Sequence, residues 1–166
     1  MFSKKQFLFL LLAMLLSFHS SAFGIEYNWQ DVKGQHHTLK SFAGKPTILH
    51  FWASWCPPCK KEMPELAAWM AQHPEVQVIP ISLDANLDKA SDYLKLRQLA
   101  MPALRGDQSK ALQLGIYALP ISLLVDAKGR LVRKEIGAKP WSDPDYSLGV
   151  MKLLGFEKIK KSNESE

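Results

Sequence analysis

Only two cysteines occur in this chain of 166 residues, Cys56 and Cys59, and two prolines stand between them. The apolar run "PTILHFW", Pro46 to Trp52, ends just before the pair; its length and lack of alternation suit a central strand covered on both faces. From Pro57 the pattern turns helical, with Met63, Leu66, Ala67 and Met70 recurring at steps of three and four until His73 and Pro74. Pro57 and Pro58 suit the first helical positions, where a missing N–H breaks no intrahelical bond. Pro64 is expected to kink this helix rather than end it. A strand with a cysteine at its carboxyl end, and a helix that starts on that cysteine, form the unit around which everything else has to pack.

The flanking sequence supplies the other elements. Tyr27–Val32 and His36–Leu39 read as a hairpin around Gly34, placed at an edge or serving as a lid. Val76–Leu83 reads as a second strand, and "NLDKASDYLKLRQLA" as an amphipathic helix with Leu87, Ala90, Leu94 and Leu99 inward. "MPALRGD" is a loop or short strand, and "QSKALQLG" a short helix stopped by Gly115. "LPISLLVDAKGRLVRKEIG" supplies two strands around a Lys128-Gly129 turn, and Tyr146–Leu154 a closing helix. Strand and helix alternate through the middle, so the expectation is one α/β domain over residues 25–156, a central mixed sheet with helices on both faces and an N-terminal β-hairpin. Trp52, Trp69, Trp141, Met63 and Met70 stand at core spacings and are assigned to packing.

The two ends bear on location. Lys4 and Lys5 precede an uncharged apolar run, Phe7–Phe18, and then small residues up to Gly24, the pattern of an export signal over residues 1–24. The run is shorter than the roughly 20 residues that span a bilayer, so cleavage is favoured over a retained anchor. Cleavage would remove two of the 21 basic residues against 16 acids, lowering the net charge from +5 to +3. No strong basic patch is left for nucleic acid, and residues 157–166 read as a polar tail of mixed charge.

In an oxidising compartment two cysteines ordinarily mean a stabilising disulfide. A disulfide closing a loop of two intervening residues removes little entropy from the unfolded chain, so chemistry explains the pair better. Cys56 falls at or just before the helix start, where free N–H groups and the positive end of the dipole stabilise a thiolate, which makes it the expected nucleophile. Cys59, one turn inside, is the expected resolving thiol. Pro57 and Pro58 withhold two N–H donors from the sulfur, so a reducing couple is expected rather than a strongly oxidising one.

The segment "FWASWCPPCKKEMPEL", with "GKPTILHFW" before it, "VIPISLD" after it and "YALPISLLVDAKGRLV" near the end, resembles the TlpA/ResA type of exported thiol-disulfide oxidoreductase, over roughly residues 26–140. The resemblance implies a thioredoxin-like fold, Cys56 as attacking and Cys59 as resolving thiol, and a cis Leu119–Pro120 bond beside the cysteines on the substrate side. It also implies Trp55 as an aromatic neighbour and Glu62 as an active-site acid. It further implies no organic cofactor, a periplasmic location, exported clients that carry disulfides, apocytochrome c among them, and a membrane electron carrier of the DsbD/CcdA type as reductant. With no heptad repeat in the chain, a monomer is the simplest expectation.

On spacing alone, Glu62 follows Cys59 by three residues and can stand over that thiol as proton acceptor, or be a solvated acid near the helix start. Two positions depart from the family pattern. His50 stands six before Cys56, where relatives carry an acid or an amide; it is either a proton shuttle for Cys59 or a neutral core histidine holding backbone groups. After Pro120 the chain reads Ile121-Ser122, where many relatives place a hydroxyl directly.

Other chemistries remain to be weighed. Zinc would need three or four ligands, and beside the cysteine pair the chain offers only scattered histidines. Copper(I) delivery or reduction of a copper site suits soft thiolates better, with His36 and His37 as further ligands. A disulfide oxidant or isomerase would use the same residues, and a peroxidase, which shares the fold, would consume peroxide.

Overall fold

The computed structural model describes residues 26–156; the export segment and the polar tail lie outside them. A single seven-stranded sheet has the order β2-β1-β5-β4-β3-β6-β7. In chain order the elements are β1 (Asn28–Asp31), β2 (His36–Thr38), β3 (Thr47–Trp52), α1 (Pro57–Gln72), β4 (Gln77–Ser82), α2 (Leu87–Leu96), β5 (Leu104–Gly106), α3 (Gln108–Gln113), β6 (Ile121–Val125), β7 (Leu131–Ile136) and α4 (Pro144–Leu153). A turn of 3-10 helix, Leu39–Phe42, follows the hairpin.

Strand β3 is buried at all six positions because it pairs with parallel β4 on one side and antiparallel β6 on the other. Its side chains divide by the period of two. Ile48 and Trp52 point into a core shared with Cys59, Met63, Leu66 and Trp69 of α1, Ala90 and Leu94 of α2, and Val150 of α4. Leu49 and Phe51 point the other way, among Tyr27, Trp29, Ala111 and Ile116. Helices therefore cover both faces, and each large apolar side chain withdrawn from water contributes roughly 1.5–3 kcal/mol.

Alternation and turn residues predict most of these elements. Gly34, Gly115 and Gly129 each adopt a positive φ at the turn or helix end expected of them. Helix α1 runs through Pro64 to Gln72 without a break. The hairpin lies along the sheet edge, β2 outermost and β1 paired with β5.

One expectation is corrected. Helix α2 stops at Leu96, not Ala100, because Gln98 takes φ 53° and the Leu99 N–H reaches back to the Leu94 carbonyl at 2.9 Å. That is a Schellman-type ending built without glycine, so composition does not signal it. Of the two readings of "MPALRGD", the short strand holds: it carries β5, which lies inside the sheet between β1 and β4. Room for it comes from Gly106, where an added Cβ would lie 2.3 Å from Tyr27 Oη and 2.6 Å from Ile81 Cγ2.

Candidate active site

The cysteines sit where β3 hands over to α1. Cys56 is the N-cap of α1 in an extended backbone conformation, and its sulfur accepts the Cys59 N–H at 3.2 Å. The Lys60 N–H is taken by the Cys56 carbonyl at 3.1 Å, and Pro57 and Pro58 have none to offer. One backbone donor of the first turn thus reaches the sulfur, and no acid stands in that turn to oppose a thiolate. The two sulfurs are joined in a disulfide, with Cα atoms 5.3 Å apart and both residues buried.

The loop leading into the pair is held by a residue that sequence reading missed. Asp84, buried at the end of "VIPISLD", accepts the Ser54 N–H at 2.9 Å and the Ser54 hydroxyl at 2.8 Å. Its own position is set by Ser82, whose hydroxyl donates to the carboxylate at 2.7 Å and accepts the Asp84 N–H at 2.9 Å. The only trace in the sequence is a Ser-x-Asp step at the end of a strand, a common turn pattern.

In front of Cys56 lies an apolar groove of about 440 Å³, lined by Trp55, Pro57, Leu112, Tyr117 and Leu119 among others. Trp55 is 60% exposed, Tyr117 80% and Leu112 51%, a cluster of large apolar side chains facing water beside the disulfide. The Leu119–Pro120 bond at the same place is cis. The structure thus brings Cys56, Trp55 and Leu119 to one groove.

Behind the pair, Glu62 is 3% exposed, which removes the solvated-acid reading. Its Oε1 accepts the indole N–H of Trp141 at 2.6 Å and the backbone N–H of Lys139 at 3.0 Å. Trp141, assigned to packing alone from its spacing, is therefore also a hydrogen-bond partner of this acid. Burial pushes the Glu62 carboxyl up to about 7, and the Trp141 and Lys139 donors offset only part of that. His50, on the α1 side of β3, is fully buried and bonds through Nδ1 to the Ser122 hydroxyl at 2.9 Å. It holds a side chain rather than the backbone groups expected of it, and burial pushes its imidazole down to about 3. His50 Nε2 lies 3.8 Å from Glu62 Oε2.

His36 and His37 are not brought to the cysteines. They lie on edge strand β2, four strand steps from β3, roughly 19 Å at the usual inter-strand spacing. His37 bonds Asp31 at 2.9 Å. Among the described residues no cluster of three or more histidine, cysteine or acidic side chains is arranged to hold a metal ion.

Comparison with known proteins places this arrangement. The sequence model of the AhpC/TSA family matches residues 22–134. The chain belongs to the AhpC/TSA family. Among curated relatives, the thiol-disulfide oxidoreductase ResA of Bacillus cereus is 35% identical over 112 residues, covering 64% of this chain and 64% of the relative. The sporulation thiol-disulfide oxidoreductase A of Bacillus subtilis is 34% identical over 100 residues, covering 57% of this chain and 61% of the relative. The matched region thus spans less than two-thirds of either relative. The crystal structure of a thiol:disulfide interchange protein DsbE from Chlorobium tepidum superposes with a TM-score of 0.68 at 24% identity, covering 80% of this chain and 95% of that one. The fold is thioredoxin-like, and the TlpA/ResA-like resemblance stands on these relatives.

Proposed function

We propose that this AhpC/TSA-family chain is a thiol-disulfide oxidoreductase that reduces disulfides of exported client proteins outside the cytoplasm. The observation that carries the reading is the placement of the Cys56–Cys59 disulfide, with Cys56 at a helix N-terminus behind an exposed apolar groove. In the dithiol form, the Cys56 thiolate attacks one sulfur of a client disulfide, and the other client sulfur leaves and takes a proton from solvent. Cys59 then gives its proton to Glu62, its helical neighbour one turn on, and attacks the Cys56 sulfur. The client's second thiolate is released, two electrons have passed to it, and the disulfide of the resting form is restored. Trp55, Leu119 and Pro120 line the client's path.

The cycle needs a dithiol donor to reduce the pair again, and a membrane electron carrier of the DsbD/CcdA type fits that need. The Lys4-Lys5 start, the apolar run Phe7–Phe18 and the small residues before Gly24 support export to the periplasm, with residues 25–156 as the working domain. Among the described residues no helix is long and apolar enough to cross a membrane.

The test is the reduction potential of the Cys56–Cys59 pair, by equilibration with dithiothreitol or glutathione and thiol trapping. A value near that of reducing dithiols supports a reductase. A value near the most oxidising disulfide catalysts reverses the direction of transfer, and a pair that does not cycle overturns the reading.

A further inference from the structure

A strand β3 residue and an α1 residue each bring a buried polar atom to within 3.8 Å of the other. Among the described residues, His50 Nε2 and Glu62 Oε2 have no hydrogen-bond partner, and they are 3.8 Å apart in surroundings that exclude solvent. Leaving both unsatisfied is costly, and one hydrogen between them would satisfy both. The gap is about 1 Å longer than such a bond, within reach of a small rotation of the Glu62 side chain.

The remaining contacts say which atom carries that hydrogen. Glu62 Oε1 already accepts two N–H groups, from Trp141 and Lys139, so Oε2 is the oxygen left to hold a proton. Other ionisable groups packed against Glu62 do not supply a close counter-charge. Glu65 of α1 is of like sign, Tyr146 of α4 is neutral, and the Lys139 ammonium is engaged 3.2 Å away by Glu135 of β7. An ionised Glu62 would thus be a buried charge without a paired cation, whereas a neutral one is a donor in need of an acceptor. Nε2 can accept only if the ring hydrogen sits on Nδ1, and there the Ser122 hydroxyl, 2.9 Å away on β6, can receive it. Toward β4, the register neighbour of His50 is Pro80, which carries no titratable group.

We infer that Ser122 holds His50 in the Nδ1–H form so that its Nε2 accepts a hydrogen bond from the proton carried on Glu62 Oε2, making His50 and Ser122 positioning residues for the acid that takes the Cys59 proton. This deepens the proposed function and rests on it for its role in exchange. In the step that restores the disulfide, the hydrogen leaving Cys59 Sγ becomes the Oε2–H of Glu62, which then donates a hydrogen bond to His50 Nε2. In the reverse step it returns to Cys59. No electron passes through His50 or Ser122. The raised Glu62 carboxyl and the neutral imidazole agree with this arrangement.

The test uses the full chain, ¹⁵N-labelled at histidine and ¹³C-labelled at glutamate, as the disulfide. Two-bond proton–nitrogen spectra between pH 5 and 8 are expected to show His50 neutral with the hydrogen on Nδ1. An Nε2–H form or a cationic ring would overturn the inference. Ser122→Ala removes the acceptor and is expected to move the hydrogen to Nε2, where it faces the carboxylate. The Glu62 titration, identified by its loss in Glu62→Gln, should then fall by about one pH unit, tenfold in proton affinity. If Ser122→Ala is poorly folded, His50→Gln, whose amide can donate to the carboxylate, is expected to shift the same titration downward; an unmoved titration in a folded variant counts against the inference. Because these spectra are read on the disulfide form, they stand or fall independently of whether the pair cycles with dithiothreitol.

Discussion

Asp84 grips Ser54 with both carboxylate oxygens, 2.9 Å from its backbone nitrogen and 2.8 Å from its hydroxyl, and so ties the loop before Cys56 to the end of β4. Asp84→Ala would strand the part-buried Ser54 N–H and the hydroxyls of Ser54 and Ser82. The expected loss is about 2–4 kcal/mol, read by urea denaturation, with slower reaction of the cysteine pair toward dithiothreitol in variants that still fold. Asp84→Asn, which keeps an acceptor, should lose less.

The two cysteines are expected to fail differently. Cys56→Ser should abolish exchange altogether, whereas Cys59→Ser should halt after the first attack and accumulate a client joined to Cys56. Non-reducing gels with an exported protein that carries disulfides distinguish the two; trapping by Cys56→Ser instead would reverse the assigned roles.

The exposed aromatics in front of the disulfide should matter for clients and not for small thiols. Trp55→Ala together with Tyr117→Ala is expected to weaken capture of a disulfide-bearing peptide by about thirtyfold, from about 1 kcal/mol at each ring. The rate with dithiothreitol should be unchanged. Equal losses with both reagents would place these residues in the structure of the loop instead.

Stability against pH carries two opposed contributions. His50 is held neutral down to about 3 in the fold, while the unfolded chain takes up its proton near 6.5, so stability rises with pH across that interval. Glu62 keeps a proton up to about 7 that the unfolded chain releases near 4.5, so its contribution falls as pH rises between those values. The two cancel between about pH 4.5 and 6.5. Glu62→Gln removes the falling part, and its stability should rise by about 1.4 kcal/mol per pH unit across that window. Urea midpoints at three pH values measure this, and a flat profile for the variant would contradict it.

Gly106 lets β5 pass close to Tyr27 and Ile81. Gly106→Ala must displace the Tyr27 ring, whose hydroxyl donates to the Asp107 carbonyl at 2.8 Å. A loss of about 2–3 kcal/mol is expected, visible as a lowered thermal midpoint.

Much of this molecule is written in local pattern. The apolar run Pro46–Trp52, the prolines after Cys56 and the three- and four-residue steps to Met70 predict β3 and α1, and with them the carrier of the cysteines, because burial on both faces leaves an unbroken apolar run and burial of one face enforces periodicity. Gly115 and Gly129 announce turns because their backbone conformations exclude most side chains. The Gln98 ending of α2 is silent in the sequence, since an ordinary residue there is held left-handed by the bonds it closes.

The site divides in the same way. Spacing alone determined that Cys56 and Cys59 can form a disulfide at a helix start, and that Glu62 follows one turn later. Only the tertiary structure decided that Glu62 is buried against Trp141, 79 residues away, that Asp84 holds Ser54 from 30 residues away, and that Ser122 meets His50 across 72 residues. These contacts depend on which strands lie side by side and which faces the helices cover. That choice comes from the collective burial of two apolar cores, so no single stretch of the chain encodes it.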